Sequence, residues 1–113
     1  MANNRYEGIV AVIDSLNHYF GRPNIPIGMT RDPHAPTFTN ELRWPQWLLS
    51  THPHPKYDHN EQAPDAVQLY RKILDRAADK SITLLSIGYL TNLANLLESG
   101  PDHISQLSGA ELM

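Results

Sequence analysis

The chain has 113 residues, a formal net charge of −3 at pH 7 and a hydrophobic content of 41%. This composition favours a single globular domain spanning residues 1–113 over a disordered chain. The acidic balance disfavours nucleic-acid partners, and no apolar run approaches the roughly 20 residues that a membrane span needs. Because the chain has no cysteine and no basic-then-apolar leader pattern, we expect a cytoplasmic protein without disulfides.

The first half of the chain predicts one helix, one short strand and a long loop. Apolar residues recur at helical spacing across residues 5–20, which predicts a helix there. Residues 25–29 follow a glycine–proline break and form a candidate strand. Residues 30–62 show no usable period and contain five prolines and both tryptophans, which is typical of a functional loop or lid. Within this loop, residues 43–49 are compatible with a short amphipathic turn.

The second half predicts a helix, a buried strand and a further helix. Residues 64–78 carry apolar side chains at three- and four-residue spacing after a first-turn proline. Residues 82–87 form a short apolar run with β-branched members, which predicts a strand that ends at Gly88. The helix that follows begins with Thr91 as its predicted cap and presents Leu93, Leu96 and Leu97 on one face.

This order of helices and strands predicts an α/β fold with a parallel sheet. In such sheets, ligands bind beyond the carboxyl end of a strand, where backbone groups point into a crevice. We therefore expect a site at residues 87–91. Because Gly88 turns a strand abruptly into a helix, we also expect either a positive φ or a close backbone approach there, and less tolerance of valine than at Gly109.

Three segments of the chain resemble the inosine- and uridine-preferring nucleoside hydrolases, in the order in which that family has them. Residues 88–94 (GYLTNLA) resemble the family's G-x-L-T-N-[LI]-A segment, and residues 63–70 (APDAVQLY) resemble the helix that precedes it. Residues 19–28 (YFGRPNIPIG) resemble the family's helix-to-strand junction. The resemblance implies part of a doubly wound, mainly parallel sheet and hydrolysis of the N-glycosidic bond of ribonucleosides by the complete enzyme.

The same resemblance implies that most of the catalytic apparatus is missing. The family's N-terminal aspartate cluster, D-x-D-x-x-x-D-D, binds calcium and supplies the general base, and neither it nor the family's C-terminal half has a counterpart here. We therefore expect this chain alone to contain no catalytic residue, to bind no calcium and to turn over no nucleoside. Exposed sheet edges would then require a homo-oligomer or the remainder of the enzyme as partner.

The resemblance assigns roles in the complete enzyme to four residues. The main-chain carbonyl of Ile87 would bind calcium, which accepts neutral oxygens beside carboxylates. Asn3 and Asn4 correspond to an asparagine near the ribose, where an amide can both donate and accept hydrogen bonds. His54 lies, with His52 and His59, in the loop where the family places a histidine near the substrate. A purely structural role, as core, chain terminus or solvated loop, is the alternative for each.

A second interpretation of the whole chain is a non-catalytic α/β binding or assembly module. It would keep the scaffold without the chemistry, which agrees with the absence of a carboxylate cluster. The loop that contains Trp44 and Trp47 would then be its interaction surface.

Overall fold

Helices are the regular elements of the computed structural model, which describes residues 1–37 and 43–113. The elements in chain order are α1 (Ile9–Tyr19), α2 (Trp44–Thr51), a short 3₁₀ helix (Asn60–Gln62), α3 (Ala66–Leu74), α4 (Thr91–Glu98) and α5 (Gly109–Leu112). The described helices include none that is long and apolar enough to cross a membrane.

Three of these helices confirm predictions, with shorter bounds. α1 begins at Ile9 because Gly8 has a φ of 90°, a left-handed conformation that cannot continue a helix. α3 begins after Asp65, whose carboxylate accepts a hydrogen bond from the Gln68 N–H at 2.8 Å. α4 covers Thr91–Glu98, but its cap is Leu90, so the prediction that Thr91 caps this helix is wrong.

The predicted loop over residues 30–62 contains more regular structure than its sequence pattern indicates. The expected turn near residues 43–49 is the helix α2. Pro45 lies in its first turn, where the missing N–H of proline costs nothing because N–H groups there have no partner within the helix. The 3₁₀ helix closes the same stretch. Residues 38–42, also within the predicted loop, lie outside the described residues.

The prediction of an α/β fold with a doubly wound, mainly parallel sheet is wrong. Within residues 1–37 and 43–113 no strand is formed, and the extended pairing is limited to two isolated parallel bridges. The predicted strand at 25–29 contributes only Met29 to them, while the predicted strand at 82–87 contributes nothing. The described chain is mostly helical.

The two bridges show why no ladder develops. Met29 pairs with Ala2 on one side and with Asp65 on the other, through hydrogen bonds that include Thr30 N–H to the Ala2 carbonyl and Ala66 N–H to the Met29 carbonyl. Because α3 begins immediately after Asp65, the pairing cannot extend along that segment. The apolar character of these segments led to the prediction of strands, but no neighbouring described segment supplies the hydrogen bonds that a strand needs.

The apolar core joins the N-terminal segment, α1 and the segment before α3. Its buried members are Ala2, Val10, Ile27, Met29, Tyr57 and Ala63, with Ile9 and Ile13 packed against them. By contrast, Leu85 is 84% exposed and Ile87 is 93% exposed, so the predicted strand 82–87 lies on the surface. The second packed unit is formed by α3, α4 and α5, which contact one another around the buried side chain of Arg71.

Candidate functional site

The side chain of Asn3 contacts the turn that precedes α4. Its amide nitrogen donates a hydrogen bond to the main-chain carbonyl of Tyr89 at 2.9 Å, across 86 residues of sequence. The approach at Gly88 is close as well, since a Cβ on Gly88 would lie 2.8 Å from the same amide nitrogen. This contact therefore requires a residue without a side chain at position 88. Of the two expectations for Gly88, the close approach is found and the positive φ is not.

The contact forms one wall of a cleft of about 380 Å³, which we call the Asn3 cleft. Its volume lies within the range of small-molecule sites. The cleft is lined by Met1, Asn3, Tyr70, Leu85, Ser86, Ile87, Gly88, Tyr89, Asn92 and Leu93. Two of the residues that the sequence singled out, Asn3 and Ile87, thus share one cleft, and of residues 87–91 it includes Ile87, Gly88 and Tyr89.

Asn92 holds the two sides of this cleft together. It is 3% exposed, and its amide nitrogen donates to the main-chain carbonyl of Ala2 at 2.9 Å. The Ala2 carbonyl also accepts from the Thr30 N–H at 3.0 Å, so it is fixed from two directions. The amide oxygen of Asn92 is buried without a hydrogen-bond partner among the described residues. A buried acceptor left in this way retains a hydrogen-bonding capacity that a donor could satisfy.

The cleft is polar but carries no side-chain charge. Neither Asp, Glu, Lys, Arg nor His is among the described residues that line it, but Met1, which carries the α-ammonium group, is one of them. Burial raises the pKa of Tyr70, so this phenol stays protonated and neutral through the physiological range. The arrangement offers amides, a serine hydroxyl, a phenol and main-chain carbonyls to a neutral, hydroxyl-rich ligand.

The donor set does not fit calcium. Ile87 lines the cleft and its main-chain carbonyl accepts no hydrogen bond from a described residue, but the described lining includes no carboxylate. Calcium takes six to eight oxygen ligands, with carboxylates among them. Elsewhere in the described part of the chain, no group of three or more His, Asp or Glu side chains could hold a metal ion.

The second predicted asparagine, Asn4, has a different position. It is 3% exposed, and its side-chain oxygen accepts a hydrogen bond from the Tyr6 N–H at 2.7 Å. This is a local turn that directs the chain toward α1. Asn4 does not belong to the lining of the Asn3 cleft.

His54 is also placed away from the Asn3 cleft. Its Nδ1 lies 3.0 Å from the Tyr57 carbonyl oxygen and 3.4 Å from an Asp58 carboxylate oxygen. The loop that carries it is attached to α1, because the Asp14 carboxylate accepts from the Lys56 N–H at 2.8 Å and from the Tyr57 N–H. The described structure therefore brings Asn3 and Ile87 together but not His54.

Sequence reasoning missed Asn92 and Tyr70 as parts of the site. The signal for Asn92 was present, because it lies in the first turn of a helix that was predicted to follow the site. Tyr70 was expected only as a member of the predicted helix over residues 64–78. Its position beside Leu93 depends on how α3 packs against α4, which the sequence pattern of one helix cannot give.

Comparison with known proteins gives no relative for this chain. No family model matches it, and neither a curated protein nor a solved structure does.

Proposed function

We propose that the Asn3 cleft binds the ribose of a ribonucleoside and that the chain is a nucleoside hydrolase-like protein. The observation that carries this proposal is the position of Asn3, whose amide lies 2.9 Å from the Tyr89 carbonyl beside Ile87. The sequence resemblance placed an asparagine and the residue before Gly88 at one site. These two positions, 84 residues apart in sequence, line the same cleft.

The chemistry of the lining supports a sugar. Vicinal hydroxyls each donate and accept, and the cleft offers both kinds of partner. The Asn3 side-chain oxygen accepts no hydrogen bond from a described residue, and the Ser86 hydroxyl can both donate and accept. Leu85 and Leu93 add apolar surface, against which the face of a nucleobase would pack.

Hydrolysis of the N-glycosidic bond belongs, in this proposal, to the complete enzyme. The reaction needs a general base within hydrogen-bond reach of the attacking water. The described residues contribute no carboxylate or histidine to the lining of the Asn3 cleft, so they offer groups that bind a riboside but no general base. We therefore propose that this chain alone binds ribonucleosides without turnover.

A two-dimensional NMR titration with uridine, ribose and uracil tests the proposal. We expect saturable shifts of the Asn3 and Asn92 side-chain amides with uridine and ribose, and weaker effects with uracil. Asn3→Ala should weaken uridine binding about tenfold, the equivalent of one hydrogen bond to a neutral partner. The control is Asn24→Ala, which changes an exposed asparagine outside the cleft. Absence of saturable shifts with uridine would contradict the proposal, and release of uracil by the chain would contradict the predicted inactivity.

A non-catalytic binding or assembly module is the second candidate. The observation that favours it is the apolar surface around the site, where Leu85 is 84%, Ile87 93% and Leu90 63% exposed. Exposed apolar residues so close together are typical of a protein–protein contact. Such a contact would be made with a second copy of the chain or with the remainder of an enzyme.

The oligomeric state tests whether this apolar surface is a contact between copies of the chain. If the apolar surface is a contact between copies, light scattering after size exclusion should give a dimer or larger species. Replacing Leu85 and Ile87 by serine should then return a folded monomer, while serine at the exposed Leu16 on α1 should not. A monomer at all concentrations would exclude self-assembly and leave ligand binding as the function to test.

A further inference from the structure

A second cleft, with a volume of about 480 Å³, lies between α3 and the segment 101–105. It shares no lining residue with the Asn3 cleft. One wall carries Gln68 and Lys72, which are four residues apart on the same side of α3, and Arg76, which lies in the turn just after this helix. His103 and Ile104 form the facing wall. We call it the Lys72 cleft.

The cationic groups of this cleft have no counter-ions in the described structure. Lys72 and Arg76 are exposed, and neither they nor His103 form an ion pair with any described residue. Asp75 is the one carboxylate that the described residues contribute to the lining. The nearby Asp102 is engaged by Arg71 at 3.0 Å, so its charge is already compensated. A local excess of positive charge therefore exists in a chain whose net charge is −3.

We propose that the Lys72 cleft binds the phosphate group of a small phosphate monoester. Arginine offers a planar fork of donors that matches phosphate oxygens, and lysine adds a mobile point charge. The amide of Gln68 and the imidazole of His103 supply further donors around the same space. Leu69 and Ile104 give the cleft apolar walls, which would contact the organic part of the ligand. The volume is that of small-molecule sites.

The presence of Lys72 and Arg76 at this end of α3 has an alternative explanation. Basic side chains near the C-terminus of α3 stabilise the helix dipole, whether or not a ligand binds. That role does not explain why His103, from a separate segment, faces them across a cleft. It also predicts an effect on stability alone, whereas the proposal predicts an effect on binding.

The test is an NMR titration of the full chain with inorganic phosphate, glycerol 3-phosphate and glycerol. We expect saturable shifts confined to residues 68–76 and 103–104 with the two phosphates and none with glycerol. The affinity should fall as sodium chloride is raised from 20 to 300 mM, since exposed charges are screened.

The double variant Lys72→Gln, Arg76→Gln should weaken binding of glycerol 3-phosphate by roughly tenfold or more, the loss expected for charge-assisted hydrogen bonds. Lys80→Gln, an exposed lysine outside the cleft, is the matched control and should leave the affinity unchanged. His103→Gln tests the facing wall and should also weaken binding. The proposal is overturned if no saturable shift occurs, if glycerol binds equally well, or if the double variant and Lys80→Gln have the same effect.

Discussion

The Arg71 guanidinium and the Asp102 carboxylate form a bidentate pair, with Nε 3.0 Å from Oδ2 and Nη2 3.1 Å from Oδ1. Arg71 is only 1% exposed. Nη1 donates to the Ser99 hydroxyl at 3.0 Å, and Nη2 also donates to the carbonyls of Ser105 and Leu107 at 3.1 and 2.8 Å. One side chain on α3 thus organises the whole segment between α4 and α5.

Arg71→Met should be strongly destabilising. The methionine would keep much of the packed volume but leave the Asp102 carboxylate and two main-chain carbonyls without their donor. A buried acceptor left without its hydrogen bond costs about 1–3 kcal/mol, and the Ser105 carbonyl is such an acceptor. Urea unfolding followed by circular dichroism measures the change, and Arg76→Met, an exposed arginine on the next turn, should cost less than about 0.5 kcal/mol. Similar losses for both variants would mean that Arg71 does not organise this segment.

Asp102 should make stability depend on pH in the acid range. Hydrogen bonds from Arg71 and from the Ser105 and Ile104 N–H groups lower the pKa of Asp102 from 3.8 to about 2. A carboxyl whose folded pKa is depressed contributes stability that is fully present above its unfolded pKa, and that contribution is lost as the pH falls. The window therefore runs from about pH 4 down to about pH 2.

The comparison of wild type with Asp102→Asn isolates this contribution. Hydrogen bonds with Ser108 also lower the pKa of Glu111, and hydrogen bonds with His34 and Asn95 lower the pKa of Asp32. The wild type therefore loses stability from several groups as acid is added. We expect the stability difference between the two proteins to be largest above pH 4 and to shrink between pH 4 and pH 2. A difference that stays constant over this range would contradict the assignment.

Asn92 should be required both for stability and for the Asn3 cleft. Asn92→Leu would remove the hydrogen bond to the Ala2 carbonyl and fill the same volume, at a cost of about 1–2 kcal/mol. Because Ala2 is adjacent to Asn3, the variant should also weaken uridine binding. The control on the same helix is Asn95→Leu, whose amide binds the Asp32 carboxylate at 3.1 Å away from the cleft and should not affect uridine. Equal uridine affinities for wild type and Asn92→Leu would show that Asn92 does not position Asn3.

The helices could be predicted from the sequence because their signals are local. The spacing of Leu93, Leu96 and Leu97 indicates α4 by itself, and a 3.6-residue period needs no knowledge of neighbours. The sheet could not be predicted in this way, because the run 82–87 becomes a strand only if another segment supplies its hydrogen bonds. The burial of Arg71 was equally hidden, since an arginine on a helix is exposed in most proteins.

The site was predicted in part for the same reason. A site at residues 87–91 was predicted from the turn between an apolar run and a helix, and Asn3 from the resemblance to a family. Asn3 and residues 87–89 line one cleft. The sequence could not show that His54 contacts Tyr57 and Asp58 in its own loop, away from the Asn3 cleft. The position of that loop depends on the hydrogen bond from the Lys56 N–H to Asp14 of α1.

The structure indicates that Gly109, and not Gly88 as expected from the sequence, is the glycine less tolerant of a larger residue. Gly88 has no positive φ, and a Cβ there would meet only the end of the Asn3 side chain at 2.8 Å, which can rotate away. A Cβ on Gly109 would overlap the main-chain carbonyl of Leu96. Gly109 is buried at the start of α5, and its N–H donates to the Ser99 carbonyl at 2.8 Å. The backbone there cannot yield without losing contact between α4 and α5.

We therefore expect Gly109→Val to destabilise the chain more than Gly88→Val, by about 2 kcal/mol or more, because the clash is with backbone and not with a movable side chain. Gly88→Val should instead act on ligand binding, since displacing the Asn3 amide breaks its hydrogen bond to Tyr89. Thermal melts of the two variants measure the first effect, and the uridine titration measures the second. Gly100→Val is the control, because a Cβ at Gly100 meets nothing within 4 Å. If Gly88→Val melts below Gly109→Val, the close packing of α5 against α4 is not what limits stability at this end of the chain.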